Sequence, residues 1–230
     1  MKMDLHITDP EFAERFEHFA FNEVPNEESQ QLDEKTRYMA ILAALIGCQG
    51  VDAYRETLPK ALENGITPII AKEIVYQATD YLGFGRMLPF LNVTNKVFAE
   101  RGVKLPLDGQ ATTTLDNRLE KGIEAQAEIF GEQMKEAWKA GHINRWLAAN
   151  CFGAYYTRKG LTLAERELIT FCFLMAQGGC EPQLIAHSKG NIKMGNDKTF
   201  LIKVVSQCLP YIGYPRSLNA ISCVGKAVEE

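Results

Sequence analysis

Two side chains near the end of this 230-residue chain have the types and spacing for proton or thiol chemistry. His187 is the first, because histidine both donates and accepts protons near neutrality. Cys180 precedes it by about two helical turns, so both would lie on a similar face of one helix. A helix N-terminus stabilises a thiolate, which predicts a reactive Cys180. The alternatives are a packed histidine and a small buried thiol.

Acidic and aromatic residues upstream could complete such a site. Glu165 and Glu167 flank Arg166 at the start of an apolar run. An acid at the edge of a buried helix can exchange protons with a histidine, although surface ion pairing is the usual role of such a triplet. Tyr155 and Arg158 offer a phenol and a guanidinium that could line a pocket for a small carboxylate, or could pack at an interface.

The elements that position these residues occur twice. One set of residues recurs 130 positions later (207 − 77 = 130): Gln77, Tyr81, Gly83, Phe84 and Arg86 return as Gln207, Tyr211, Gly213, Tyr214 and Arg216. At the same offset, Thr57 stands where the second copy has His187, and Arg37 where it has Glu167. Two copies are too few for an open solenoid, so the pattern indicates duplication and divergence within a compact fold.

The hydrophobic pattern predicts an all-α protein. Residues 38–46 and 168–176 are almost continuously apolar and end near glycine, as expected of helices buried on most sides. Asp9 and Pro10 predict a short N-terminal helix to about Phe21, followed by a polar connection over residues 22–31. Thr67 should cap a helix that begins at Pro68. We therefore expect an N-terminal helix and connection (1–31), a first repeat (32–101), a helical connecting region (102–160) and a second repeat (161–230).

Composition argues against several classes of protein. The net charge of -4 and pI near 5.7 provide no basic surface for nucleic acid. The N-terminal residues lack the apolar core of a signal peptide, and no apolar run reaches the roughly 20 residues that span a bilayer. A cytoplasmic protein without a membrane partner is the expectation. Six cysteines without dense pairing suit free thiols in a reducing compartment.

The order and spacing of these residues resemble the carboxymuconolactone decarboxylase family, which is related to alkylhydroperoxidase D. The second copy carries the resemblance through Arg166-Glu167-Leu168, Gly179-Cys180-Glu181, Gln183, His187, Gly195, Gln207, Tyr211-Ile212-Gly213-Tyr214-Pro215-Arg216 and Asn219-Ala220. The first copy matches through Leu32-Asp33-Glu34, Arg37, Gly47-Cys48, Asn64-Gly65 and Tyr81, Gly83 and Phe84. The resemblance implies tandem helical modules of the alkylhydroperoxidase D-like fold.

The decarboxylase branch implies loss of carbon dioxide from a small carboxylated lactone or related organic acid, without metal or organic cofactor. The resemblance then assigns His187 as proton donor and Glu167 as the residue that orients or recharges it. Arg158 or Arg216, with Tyr155 and Tyr211 nearby, would bind the substrate. Because single-repeat relatives form rings of six modules, a two-repeat chain should form a homotrimer.

The peroxidase branch provides the alternative enzyme. It uses two cysteines in a C-x-x-C pair, and Cys180 fills the first position while Gln183 stands at the second. A sulfenic acid on Cys180 would need another thiol, such as Cys208, Cys151 or an external one, to restore it. A third possibility is a non-catalytic ligand-binding or assembly module. Replacing Cys180 should abolish peroxidase activity and mostly spare decarboxylation.

Overall fold

In the computed structural model, which describes residues 5–229, all regular secondary structure is helical, as the sequence predicted. The first half contains α1 (Leu5–Thr8), α2 (Pro10–His18), α3 (Val24–Asn26), α4 (Glu34–Gly47), α5 (Val51–Glu63), α6 (Pro68–Leu82) and α7 (Phe84–Glu100). The connecting region contains α8 (Arg118–Phe130), α9 (Met134–Ala137) and a short 3-10 turn (Trp138–Ala140). The second half contains α10 (His142–Trp146), α11 (Leu163–Gln177), α12 (Glu181–Lys193), α13 (Lys198–Ile212) and α14 (Tyr214–Glu229).

Two segments are π-helical and occupy corresponding places in the two halves. The segment π1 (Phe19–Glu23) continues α2, and π2 (Leu147–Tyr156) continues α10. Part of the polar connection predicted over residues 22–31 is therefore helical. Pro25 lies in α3, which follows π1 without a break.

Helix α6 begins at the cap that the sequence predicted, whereas Asp9 precedes α2 without a side-chain cap hydrogen bond. The Thr67 side chain accepts a hydrogen bond from the Ile70 N–H at 3.2 Å, and Asp197 accepts one from the Phe200 N–H at 2.7 Å at the matching position. Thr162 and Glu165 form a reciprocal capping box at the start of α11. Glu165 also pairs with Lys35 at 2.6 Å, so it has the surface role that the sequence left open.

A crossed pair of buried hydrogen bonds connects the two repeats. Arg37 Nε donates to Gln207 Oε1 at 2.9 Å, and Arg166 Nη1 donates to Gln77 Oε1 at 2.8 Å. The two arginines are therefore equivalent, at an offset of 129 (166 − 37 = 129) rather than 130. Helix α11 has one residue more than α4, 15 against 14, which restores the offset of 130 for the later helices. The first-repeat counterpart of Glu167 is consequently Tyr38, and not Arg37 as the uniform offset suggested.

A single hydrophobic core joins the repeats. Helices α4 and α11 are buried over most of their length and lie in the same cluster of core residues. They approach closely at Gly47, where a Cβ atom would lie 2.8 Å from Ala176 Cβ and 2.8 Å from Phe173 O. Within residues 5–229, no helix is both long and apolar enough to cross a membrane.

Helix α8 packs directly on π2 through two glycines. A Cβ at Gly122 would lie 1.8 Å from Ala148 O, and a Cβ at Gly153 would lie 1.8 Å from Arg118 O. Any side chain at either position would separate the two helices. This contact fixes α8 over the second repeat, where it forms one side of a cavity.

Candidate active site

A cavity of about 840 Å³ lies against α12 in the second repeat. Its floor and sides come from α6, α8, π2, the end of α11 and α12. Apolar side chains predominate on the wall that α8 contributes, and the polar lining residues are Asp80, Tyr81, Gln126, Gln133, Gln177, Cys180, Gln183, His187, Lys189 and Lys193. The volume and the lining of this cavity are typical of a site for a small molecule that has both polar and apolar parts.

His187 and Glu167 form a buried pair at this cavity. His187 Nδ1 lies 2.9 Å from Glu167 Oε2. Glu167 is fully buried and His187 is 9% exposed. Asn191, one turn further along α12, donates to the backbone oxygens of both residues, at 2.9 Å and 2.8 Å, and so holds α12 in register with α11.

Tyrosine hydroxyls determine which nitrogen of His187 carries the proton. Tyr156 donates to Glu167 Oε1 at 2.9 Å, while its oxygen lies 2.7 Å from both the Tyr81 and Thr170 hydroxyls. Burial raises the pKa of Tyr81 and of Tyr156 well above the usual value, so both phenols keep their protons. As a carboxylate, Glu167 accepts from Tyr156 on Oε1 and from His187 Nδ1–H on Oε2. In the neutral ring Nε2 therefore carries the lone pair, and no hydrogen bond to another residue in 5–229 occupies it.

The His187 ring is held in place by aromatic edges and by a glycine. Tyr81 and Phe130 contact it nearly perpendicularly, with ring centroids at 5.5 Å and 5.3 Å. A Cβ at Gly190 would lie 2.6 Å from Glu167 Oε2 and 2.9 Å from Phe130 Cε1. The absence of a side chain at Gly190 thus lets α8 and Glu167 approach α12 together.

Cys180 lines the same cavity as His187, although no hydrogen bond joins them in the described chain. Its thiol donates to Leu174 O at 3.4 Å and accepts from Gln177 Nε2 at 3.6 Å. The prediction of a stabilised thiolate at the start of α12 is wrong. Burial raises the pKa of Cys180, and the neighbouring Glu181 charge adds to the shift. All six cysteines are unpaired.

Four residues predicted to bind substrate do not line this cavity. Arg158 holds buried Glu73 through Nε and Nη2 at 2.8 to 3.0 Å. Arg216 donates to Ala176 O, while Tyr211 packs edge-on against Phe16 with ring centroids at 6.2 Å. Tyr155 is half-buried outside the cavity. The two arginines therefore already have partners within the fold.

The sequence did not predict several residues that line the cavity. Gln126 on α8 is 2% exposed, and its Oε1 has no hydrogen-bond partner. Asp80 on α6 accepts from Asn150 at 3.2 Å through one oxygen, while its buried Oδ2 has no partner. Burial raises the pKa of Asp80 to about 7. A glycine inside a predicted helix, Gly122, was the one available signal that α8 packs closely on another element.

The fold and site define a class of protein: two interlocked helical modules, with a histidine–glutamate pair at a cavity on the second. This chain belongs to the carboxymuconolactone decarboxylase family, whose sequence profile matches residues 10–96 and 142–225. Each matched region starts with the helix before its repeat, α2 or α10, and so begins earlier than residues 32 and 161. A comparison with curated proteins gave no match.

Proposed function

We propose that this protein decarboxylates a small carboxylated lactone or related organic acid by cofactor-free proton transfer, with His187 as the catalytic acid and base. The observation that supports this most is the buried His187–Glu167 pair, joined at 2.9 Å, with His187 among the residues that line a largely apolar cavity. General acid–base catalysis requires a proton carrier that is held in one orientation and reaches the substrate. The family name supplies the reaction class, and carboxymuconolactone is the first substrate to test.

In the proposed reaction the substrate carboxylate leaves as carbon dioxide, and the electrons of the broken C–C bond move into the conjugated lactone carbonyl. The resulting enolate takes a proton on carbon from His187 Nε2–H, and solvent later returns a proton to the ring. Glu167 accepts from Nδ1–H throughout, so its negative charge stabilises the imidazolium before transfer. An apolar cavity favours loss of the carboxylate charge, because that charge is poorly solvated there.

The structure suggests lysines rather than arginines for any second carboxylate of the substrate. Apart from His187, the cations among the cavity residues are Lys189 and Lys193. Lys193 is exposed at the rim and donates to Ala127 O at 3.3 Å, a bond that leaves its other N–H groups available. We propose that Lys193 attracts the substrate and orients its carboxylate.

Thiol peroxidase activity is the second candidate, because Cys180 and His187 line one cavity. The raised pKa of Cys180 and the lack of another cysteine among the cavity residues make it the weaker one. The test is to measure carbon dioxide release from carboxymuconolactone, and hydroperoxide consumption with dithiothreitol, for wild type and Cys180→Ser. We expect decarboxylation that the substitution spares. Hydroperoxide consumption that disappears in Cys180→Ser, without carbon dioxide release, would replace our proposal with the peroxidase. Tight binding of organic acids without either reaction would support a binding module.

We also propose that the chain forms a homotrimer, so that six modules make a ring. Exposed apolar residues at equivalent positions, Phe84 at the start of α7 and Tyr214 at the start of α14, fit repeated contacts between copies. Light scattering should give about three times the chain mass of 25.8 kDa. A monomeric mass at micromolar concentration would contradict this.

A further inference from the structure

Buried oxygens without partners are concentrated at the cavity. In residues 5–229 three buried side-chain polar atoms lack a hydrogen bond: Asp80 Oδ2, Gln126 Oε1 and Arg166 Nε. Two of them belong to cavity residues. An unpaired buried polar group lowers stability, so folded proteins retain few of them. Asp80 also interacts with the Cys151 thiol, so the amide of Gln126 is the cavity group that is left for a ligand.

Gln126 is the more informative of the two. Neither end of its amide has a hydrogen bond to another described residue, although the side chain is 2% exposed. With no partner to fix it, the terminal torsion can turn either the C=O or the NH₂ group toward the cavity at little cost. The other glutamines differ, since Gln133 already donates to Phe130 O at 2.7 Å and Gln177 to Cys180 Sγ, while Gln183 is exposed.

Helix α8 holds Gln126 close to the proton carrier. The contacts of Gly122 and Gly153 fix α8 against π2, and Gln126 follows Gly122 by one turn. One turn further on, Phe130 contacts the His187 ring at 5.3 Å between centroids. Gln126 and Phe130 are thus separated by only about 6 Å of rise along α8, four residues at about 1.5 Å each.

We propose that Gln126 is a further catalytic residue, whose amide N–H donates a hydrogen bond to the enolate oxygen that forms when the substrate loses carbon dioxide. This inference rests on the proposed function and supplies a group that the reaction needs. When the C–C bond breaks, its electron pair moves to the lactone oxygen, which gains negative charge. An N–H donor stabilises that charge more than it stabilises the neutral carbonyl, and such differential stabilisation lowers the barrier.

The test compares two five-membered lactones by isothermal titration calorimetry. Tetronic acid is an enolate at neutral pH, whereas γ-butyrolactone is neutral, so only tetronate offers a charged oxygen to the amide. Wild type should bind tetronate at least ~10-fold more tightly than γ-butyrolactone, since hydrogen bonds to charged groups are stronger than those to neutral groups. Gln126→Leu should remove this preference, and Gln126→Glu should weaken tetronate binding further by repulsion. Loss of an unpaired buried amide should leave the melting temperature of Gln126→Leu unchanged or higher.

Two binding results would overturn the inference. One is that wild type binds both lactones with equal affinity, and the other is that Gln126→Leu binds tetronate with the affinity of wild type. The first would mean that Gln126 is satisfied by water alone. Measurement of carboxymuconolactone turnover distinguishes a failure of this inference from a failure of the proposed function. If carboxymuconolactone turnover is the same in wild type and Gln126→Leu, Gln126 has no catalytic role and the decarboxylase survives. If tetronate binding depends on Gln126 but no carbon dioxide is released, the site recognises enolates and the decarboxylase proposal fails.

Discussion

The two repeats share a backbone design and differ in what their corresponding positions carry. In the second repeat, Glu167 and His187 form a buried hydrogen-bonded pair beside a cavity. The first repeat has Tyr38 and Thr57 at those positions, and the Thr57 hydroxyl donates to Ala53 O at 2.7 Å within its own helix. Duplication therefore preserved the crossed Arg–Gln hydrogen bonds, which connect the repeats, while the Glu167–His187 pair is present in the second repeat only.

The connecting region deepens this asymmetry. Helix α8 covers the second repeat and contributes Gln126, Ile129 and Phe130 to the cavity. The first repeat also contributes to this cavity, through Asp80 and Tyr81 of α6. One repeat therefore carries the Glu167–His187 pair, and the other supplies part of the surface around it.

Glu167→Gln should have the largest effect on turnover among the residues that support His187. In Glu167 one oxygen accepts from His187 Nδ1–H and the other from the Tyr156 hydroxyl. A glutamine side chain has only one oxygen, so it cannot make both contacts and the histidine loses its orientation. We expect kcat for carboxymuconolactone to fall by about 10²- to 10⁴-fold, the usual range for acid–base groups. Glu165→Gln is the matched control, since Glu165 is two residues away and serves as a helix cap. Equal activity in both variants would show that the buried pair is structural.

Gly190→Ala should reduce both stability and turnover. The new Cβ would lie 2.6 Å from Glu167 Oε2 and 2.9 Å from Phe130 Cε1, which forces α8 or Glu167 away from α12. Overpacking of this kind costs about 1–3 kcal/mol of unfolding free energy in urea titrations. The control is Gly225→Ala in α14, where a Cβ meets nothing within 4 Å, and where alanine should stabilise by roughly 0.5–1 kcal/mol. A Gly190→Ala protein as stable and active as wild type would mean that α8 is not closely packed on the site.

Asp80→Asn should stabilise the protein in a way that depends on pH. Burial raises the pKa of Asp80 from 3.8 to about 7, so the folded state favours the protonated acid. The ionised form therefore lowers stability progressively as pH rises from about 4 to about 7, and the cost is constant above that range. Asparagine avoids this cost and can still accept from Asn150. The gain in melting temperature should be larger at pH 8 than at pH 5, whereas an equal gain would indicate that Asp80 keeps an ordinary pKa.

Tyr81→Phe and Tyr211→Phe compare corresponding positions directly and should show the smallest effects. The Tyr81 hydroxyl bonds to Tyr156 at 2.7 Å, while within the described chain no hydrogen bond reaches the Tyr211 hydroxyl. Removal of the first should cost about 1 kcal/mol in chemical unfolding, and removal of the second should change stability by less than about 0.5 kcal/mol. Similar losses of unfolding free energy in the two variants would show that the repeats do not differ at this position.

Much of the fold was accessible from the sequence because its signals are local or repeated. The apolar runs predicted α4 and α11, Thr67 predicted the start of α6, and the recurrence of Gln77 as Gln207 predicted the duplication. The contact between Glu167 and His187 followed from the family resemblance.

The rest of the cavity depends on contacts that leave no periodic signal. Gln126 lies at the cavity because α8 packs closely on π2 where Gly122 approaches Ala148 O. A single glycine in the sequence does not indicate which residue it will contact. Arg158 was expected in a pocket, but its partner Glu73 lies 85 positions away in the chain. The thiolate prediction for Cys180 considered the helix end and could not include burial, which dominates its pKa.

The most direct test of the asymmetry is the rate of carbon dioxide release from carboxymuconolactone by two matched variants, His187→Gln and Thr57→Gln. Our account predicts that kcat falls by about 10²- to 10⁴-fold in the first, as expected on loss of an acid–base group, and stays at the wild-type value in the second. If a correctly folded His187→Gln protein released carbon dioxide at the wild-type rate, the assignment of the chemistry to the second repeat would be contradicted.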